Sequence, residues 1–218
     1  LLEEKNNPKN INIFLSHYHW DHLLGFLNFT PLFDESYTFN IYGNNKETSI
    51  KDISKKLLDK TFWPVSIEML KAKINFIELN DQKININNNL SIECMEHMHP
   101  NGATSYKIDI DNFKIVYSTD CEHPENSLNE DVVKFATDSD VFIHDSHFTD
   151  KDLKTHSGWG HSSWKQAANI SMKANVKKLV LFHYCPNYDD NKIQKIEENA
   201  QNVFSPTVAA YQGLKIKF

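Results

Sequence analysis

The sequence predicts an α+β protein, a sheet-rich sandwich with helices on its outer faces, and three observations carry that expectation. Four apolar, β-rich runs stop at a ligand-type polar residue: INIFLSH at His17, FKIVYSTD at Asp120, DVFIHD at Asp145 and KKLVLFH at His183. Alternating runs between them, FNIYG, KINFIEL, LSIECMEH and SYKIDID, supply further strands. Four other stretches place apolar residues three and four apart, as amphipathic helices do.

In chain order, INIFL reads as a buried strand that delivers SHYHWDH, and a turn over Trp20 to Gly25 leads into a short helix. FNIYG, the helix TSIKDISKKLLDK and the strand KINFIEL follow. LSIECMEH, SYKIDID and FKIVYSTD continue the strands in a hairpin-like succession that dominates the first half. Helices then alternate with strands: LNEDVVKFATD, DVFIHD, HSSWKQAANISMKA with Ser162 or Ser163 as its N-cap, KKLVLFH and NKIQKIEENAQNVF. There is no Pro/Gly/Ser linker and no repeat at a fixed period, so residues 1–218 are expected to form one domain.

Composition narrows the partners. The net charge is −6 with basic residues scattered, which favours a compact substrate over extended nucleic acid or a membrane surface. No run approaches the roughly 20 apolar residues of a membrane span, and LLEEKNNPKN lacks the basic flank and apolar centre of a signal peptide, pointing to the cytoplasm. Cys94, Cys121 and Cys185 are widely spaced with no C-x-x-C, against both a disulfide framework and a thiolate zinc knuckle. Asn is frequent inside patterned segments as well as loops, a compositional habit and not a low-complexity domain.

The chemistry concentrates at SHYHWDH. Residues two apart in an extended segment share a face, so His17, His19 and Asp21 can point together, and His22 joins them only if the chain turns there. A lone His at a strand end is usually a hydrogen-bonded surface residue; four such groups in six residues are costly to desolvate without a partner. Imidazole and carboxylate suit zinc, manganese or iron better than calcium or magnesium. With His99 in HMHPNG, Asp120 in YSTD and His183 in LFHYCP, they make five imidazoles and two carboxylates, enough for two open sites if one carboxylate bridges. A pair of metals about 3.5–4 Å apart activates water and clamps the oxygens of a displacement at phosphorus or an acyl carbon.

His17-Tyr18-His19-Trp20-Asp21-His22 resembles the His-x-His-x-Asp-His hallmark of the metallo-β-lactamase fold superfamily, and His99, Asp120 and His183 follow in the expected order. The resemblance implies a four-layer αββα sandwich with a dinuclear site at one edge. It also implies His17, His19 and His99 on one metal, Asp21, His22 and His183 on the other, and Asp120 between them. GWGHSSW and VFIHDSHF resemble segments of the phosphodiesterase branch that includes RNase Z. By that likeness His161 contacts the scissile phosphate and Asp145, in place of the usual Glu, orients His161. The segments HYHWDHLLGF, FTPLFD, NIYG, FWPV, TDCEH and WGHSSW are similar to short metallo-hydrolases, some of them similar to cyclic-nucleotide phosphodiesterases. Cys121 departs from a Thr usual there and reads as a small buried thiol.

The resemblance thus implies hydrolysis of a small, cyclic-nucleotide-like phosphodiester with two divalent cations, zinc first and manganese or iron as alternatives. Asp21 would both ligate and take the proton of the attacking water, and His161 would supply a proton to the phosphate or leaving oxygen. A lactonase or thioesterase would use the same metals without His161. An RNase Z-like endonuclease would need a tRNA-gripping arm that is not visible here, and a non-catalytic metal scaffold is the remaining alternative. Trp20, Trp159 and Trp164 can stack a base or simply pack around the ligands. Phe62, Trp63 and Pro64 can line a pocket or a dimer contact. Only 16 residues precede His17, where family members place strands: either an N-terminal hairpin is missing from this sequence or the chain is a shortened variant. A true lack would leave one sheet with an open edge, which favours oligomer contact or instability; a homodimer is what the resemblance implies.

Overall fold

The computed structural model describes residues 9–44, 48–79, 83–124 and 127–217. Chain contacts divide it into two compact units, residues 1–80 and 81–218.

The first unit holds three parallel strands, β1 (Asn10–Phe14), β2 (Thr38–Asn44) and β3 (Lys73–Leu79), in the order β1-β2-β3. The expected hairpin-like succession does not occur here: the amphipathic helix α2 (Ile50–Leu57) lies between β2 and β3, and a crossover of that length returns the chain parallel. The short helix α1 (Trp20–Leu23) follows β1, and 3₁₀ turns fill Leu24–Asn28, Thr30–Phe33 and Ile67–Met69. Ser49 caps α2 by accepting the N–H of Asp52 on its hydroxyl. β1 is only half-buried, not the buried strand its apolar run suggests, because it is an edge strand among the described residues. Phe39, Ile41, Leu15, Leu32 and Ile50 form the core of this unit. The asparagines also have a place: Asn12, Asn40 and Asn75 stand in register across the three strands. Asn40 Nδ2 donates to Asn12 Oδ1 at 3.0 Å and Asn75 Nδ2 donates to Asn40 Oδ1 at 2.8 Å.

The second unit is built on a seven-stranded sheet. An antiparallel meander of β4 (Lys83–Asn85), β5 (Leu90–His97), β6 (Ala103–Ile110) and β7 (Phe113–Ser118) is continued by parallel β8 (Val141–Asp145), β9 (Leu179–Phe182) and β10 (Thr207–Ala209). Helices α3 (Glu130–Ala136), α4 (Asp150–Leu153), α5 (Trp164–Lys173) and α6 (Asp190–Val203) occupy the connections. Ser163, not Ser162, caps α5: its hydroxyl accepts from the N–H of Gln166, whose side chain accepts the N–H of Ser163 in return. Val116, Phe142, Leu179 and Leu181 on the sheet pack with Ala167, Ala168 and Ile170 of α5. Burial of that area is the main stabilising term for this unit. β7, β8 and β9 run side by side and parallel, so their C-terminal ends lie together on one edge of the sheet. Asp120, Asp145 and His183 stand at that edge.

Candidate active site

In the first unit, β1 ends at Phe14 and the N–H of Leu15 still donates to the Tyr42 carbonyl at 3.0 Å, which fixes the direction in which the next residues leave the sheet. α1 then turns the chain back. His17, His19 and His22 gather: the ring centroids of His17 lie 4.5 Å from His19 and 4.2 Å from His22. Asp21 Oδ2 is 3.3 Å from His22 Nε2. The turn required for His22 to join is therefore present. His17 is buried, whereas the Asp21 side chain is largely exposed.

In the second unit, Asp120 lies two residues past β7, Asp145 ends β8, and His183 directly follows β9. One ligand-type atom from each of Asp120, Asp145, His161 and His183 lies within 4.8 Å of the others. Asp120 and His183 both have left-handed backbones, φ 52° and 61°. Neither is glycine, and such conformations persist only where the surroundings hold them. His97 does part of that holding. Its Nε2–H donates to the carbonyls of Thr119 and Asp120 at 3.0 and 3.1 Å, and Ser105 Oγ meets its Nδ1 at 2.8 Å. Burial pushes His97 down to about 4, so it serves as a neutral brace. The Thr119 hydroxyl donates to Asp120 Oδ2 at 2.6 Å.

Asp145 organises the opposite side. It is fully buried, and its Oδ2 accepts His161 Nδ1–H at 2.8 Å. Its Oδ1 accepts the N–H groups of Ser162 and His147 at 3.0 and 3.1 Å. Burial opposes its charge, but the His161 hydrogen bond, the nearby His161 and His183 imidazoles and the Ser162 N–H together hold the carboxyl below its ordinary range. The shorter acid reaches His161 directly, with no water needed. Held by Nδ1, His161 presents Nε2 on the opposite edge of its ring.

His99 is buried, and its Nδ1–H donates to the Gly160 carbonyl at 2.9 Å, which sets the tautomer with the lone pair on Nε2. A metal-binding imidazole is typically oriented in this way. Glu122 anchors the loop that carries that carbonyl, accepting the N–H groups of Gly158 and Gly160 at 2.7 Å each.

Three contributors escape the sequence reading. His147 stacks on His161 with centroids 4.1 Å apart, and its Nδ1–H donates to the His183 carbonyl at 2.9 Å. Its signal was its place two residues after Asp145, on the same side of an extended segment. Glu122 and His97 stand next to expected ligands but were read only as parts of TDCEH and of a strand end. Of the tryptophans, Trp164 packs against the core of the second unit, while Trp20 and Trp159 are exposed.

A profile of the β-lactamase superfamily domain matches residues 3–184. The chain belongs to that superfamily. Structural neighbours agree on the metallo-β-lactamase fold: YhfI of Bacillus subtilis superposes with a TM-score of 0.69 at 23% identity over 93% of this chain and 75% of that one. The short form of human tRNase Z gives 0.65 at 16% identity over 94% and 78%. A diphosphatase of the PhnP family gives 0.66 at 16% over 97% and 72%. In sequence, Ribonuclease Z of Picrophilus torridus is 39% identical over 101 residues, 46% of this chain but only 30% of that protein's length. Ribonuclease Z of Porphyromonas gingivalis is 24% identical over 94% of this chain and 81% of its own length. The superfamily match and the shared fold imply divalent metal ions, and the chain spans only about a third of the length of the first of these Ribonuclease Z relatives. No helix among the described residues is long and apolar enough to cross a membrane.

The side chains fit such ions. Imidazole and carboxylate donors are gathered within each unit, several of them buried and oriented through their second nitrogen, which is the donor chemistry of zinc-class cations.

Proposed function

We propose that this hydrolase is a dinuclear phosphodiesterase acting on a small, cyclic-nucleotide-like diester. In this reading His17, His19, Asp21 and His22 of the first unit and His99, Asp120 and His183 of the second are the side chains that would hold the two cations. When bound, two zinc-class cations supply an ionised water and neutralise the non-bridging phosphoryl oxygens. Asp21 accepts the proton of the attacking water. His161 supports the phosphate and delivers a proton from Nε2 to the leaving oxygen, while Asp145 keeps its ring in place.

The observation that carries the reading is the 2.8 Å hydrogen bond from His161 to a fully buried Asp145 within reach of Asp120. Hydrolysis at a carbonyl with the same cations has no need of an oriented His–Asp pair, so a lactone or thioester is the weaker substrate. RNA is the second reading, favoured by the Ribonuclease Z relatives. The scattered charge favours the smaller diester. A cytoplasmic homodimer completes the proposal.

The test is a panel of cyclic nucleotides, bis(p-nitrophenyl) phosphate, a precursor tRNA, a lactone and a thioester, run on wild type and His161→Ala with metal content measured. Metal-dependent diester turnover that falls at least a hundredfold in the variant, with metal retained, is expected. Turnover confined to the lactone or thioester, or diester turnover indifferent to His161, overturns the reading.

A further inference from the structure

Behind the strand ends of the second unit lies a cluster that the proposed mechanism does not use. Cys121, His123 and His144 are all buried, and one ligand-type atom from each lies within 4.8 Å of the others. We propose that these three side chains form a separate binding site for a single zinc-class divalent cation.

The geometry of the two imidazoles carries the case. Their Nε2 atoms are 3.3 Å apart, with ring centroids at 5.2 Å and planes only 15° from parallel. The rings therefore meet edge to edge, nitrogen to nitrogen, rather than face to face. Two ring nitrogens at that separation, each about 2.05 Å from a common zinc ion, subtend about 107° at the metal, close to the tetrahedral angle. Cys121 supplies a soft donor within range of both, and a set of two imidazoles and one thiolate selects zinc over calcium or magnesium.

The surroundings are arranged as a ligand set requires. His144 Nδ1–H donates to the Asp145 carbonyl at 2.6 Å, which fixes the tautomer and turns its Nε2 lone pair toward His123. The two Nε2 atoms can share one proton, one donating and the other accepting, or turn both lone pairs toward a common cation, and His144, held by its Nδ1–H, is already in the tautomer that either arrangement needs. His123 also lines a cavity of about 370 Å³ with Glu122, Ser163 and Gln166, so one of the three side chains borders an open space. Binding would release the thiol proton of Cys121 to solvent, and no electron transfer is involved.

The site shares no ligand with the proposed dinuclear centre, whose ligands include no sulfur, and the two readings fail separately. The test loads full-length, chelator-stripped protein with cobalt(II) and records the near-ultraviolet thiolate-to-cobalt charge-transfer band, with bound metal counted. The band is expected in wild type, absent with one equivalent less metal in Cys121→Ser, and retained in Cys94→Ala and Cys185→Ala. Zinc X-ray absorption on wild type, which needs no variant, should show one sulfur neighbour at about 2.3 Å. A fully loaded wild type with no band, a band that survives Cys121→Ser, or a shell of nitrogen and oxygen alone overturns the site.

Discussion

Glu122 accepts the amide N–H of Gly160 at 2.7 Å, and its other oxygen accepts that of Gly158 at the same distance. One carboxylate thus pins a loop whose glycines sit at φ 81° and 87°, and the loop in turn bears the carbonyl that orients His99. Glu122→Gln leaves a single acceptor for two donors and removes a charge-assisted hydrogen bond worth about 1.5–3 kcal/mol. The expected result is a fall in kcat/KM on a diester of roughly tenfold or more, with bound metal unchanged. Steady-state kinetics beside metal analysis checks it.

Gly160 cannot be replaced without moving a proposed ligand. A Cβ there would lie 2.0 Å from His99 Nδ1 and 2.4 Å from the Pro100 ring, and its φ already excludes most side chains. Gly160→Ala should cost on the order of 1–3 kcal/mol in backbone strain, before the displacement of His99 is counted. Titration with zinc should show a weakened site, and thermal unfolding a lowered Tm. Unchanged affinity would mean that His99 does not depend on this loop.

Asp145→Asn keeps the shape of the side chain but converts one acceptor oxygen into a donor. Either His161 Nδ1–H or the N–H groups of Ser162 and His147 then face another donor in a fully buried place. Such a mismatch costs about 1–3 kcal/mol. A drop in kcat of about a hundredfold is expected, with KM and metal content close to wild type; a change in KM alone would contradict an orienting role.

Far from the site, Asp140 accepts Lys177 Nζ–H at 2.6 Å and the Lys114 N–H at 2.7 Å. The Lys177 hydrogen bond, against some desolvation and aided by the Lys114 N–H, holds its carboxyl below the usual range. A carboxyl depressed on folding stabilises above its unfolded value, about 3.9, and loses that contribution as pH falls through its folded value. Asp140→Asn should therefore lower Tm by a few degrees at pH 7, and the gap to wild type should begin to narrow below about pH 4 and close as the pH falls through the folded value. Melting curves at a series of pH values check it.

Much of this architecture was legible because long apolar runs declare themselves. The strands ending near His17, Asp120, Asp145 and His183 all form, as do the four amphipathic helices. The short elements did not announce themselves: β4 and β10 have three residues each and α4 has four, too few for a period to show. Pairing direction was misread in the first unit, since periodicity says that FNIYG and KINFIEL are strands but not that α2 returns them parallel. In the candidate site, spacing singled out the His17–His22 cluster, whereas His147, Glu122 and His97 act through hydrogen bonds to backbone, which no side-chain pattern advertises. That buried Cys121 stands beside two imidazoles was hidden for a different reason. Its neighbours His123 and His144 come from different segments, and only the pairing of β7 with β8 brings those segments together.

The adjacency of β7, β8 and β9 gives the reactive edge a built-in ruler. Neighbouring strands stand about 4.8 Å apart wherever main-chain hydrogen bonds join them, so the interval between groups mounted on successive tips is inherited from the backbone. Lineages can therefore lengthen, shorten or recolour the loops beyond those tips to suit new substrates without retuning that interval. A one-residue insertion within β8 would be different in kind: it would slide Asp145 out of step with both neighbours at once, and no loop could restore the spacing.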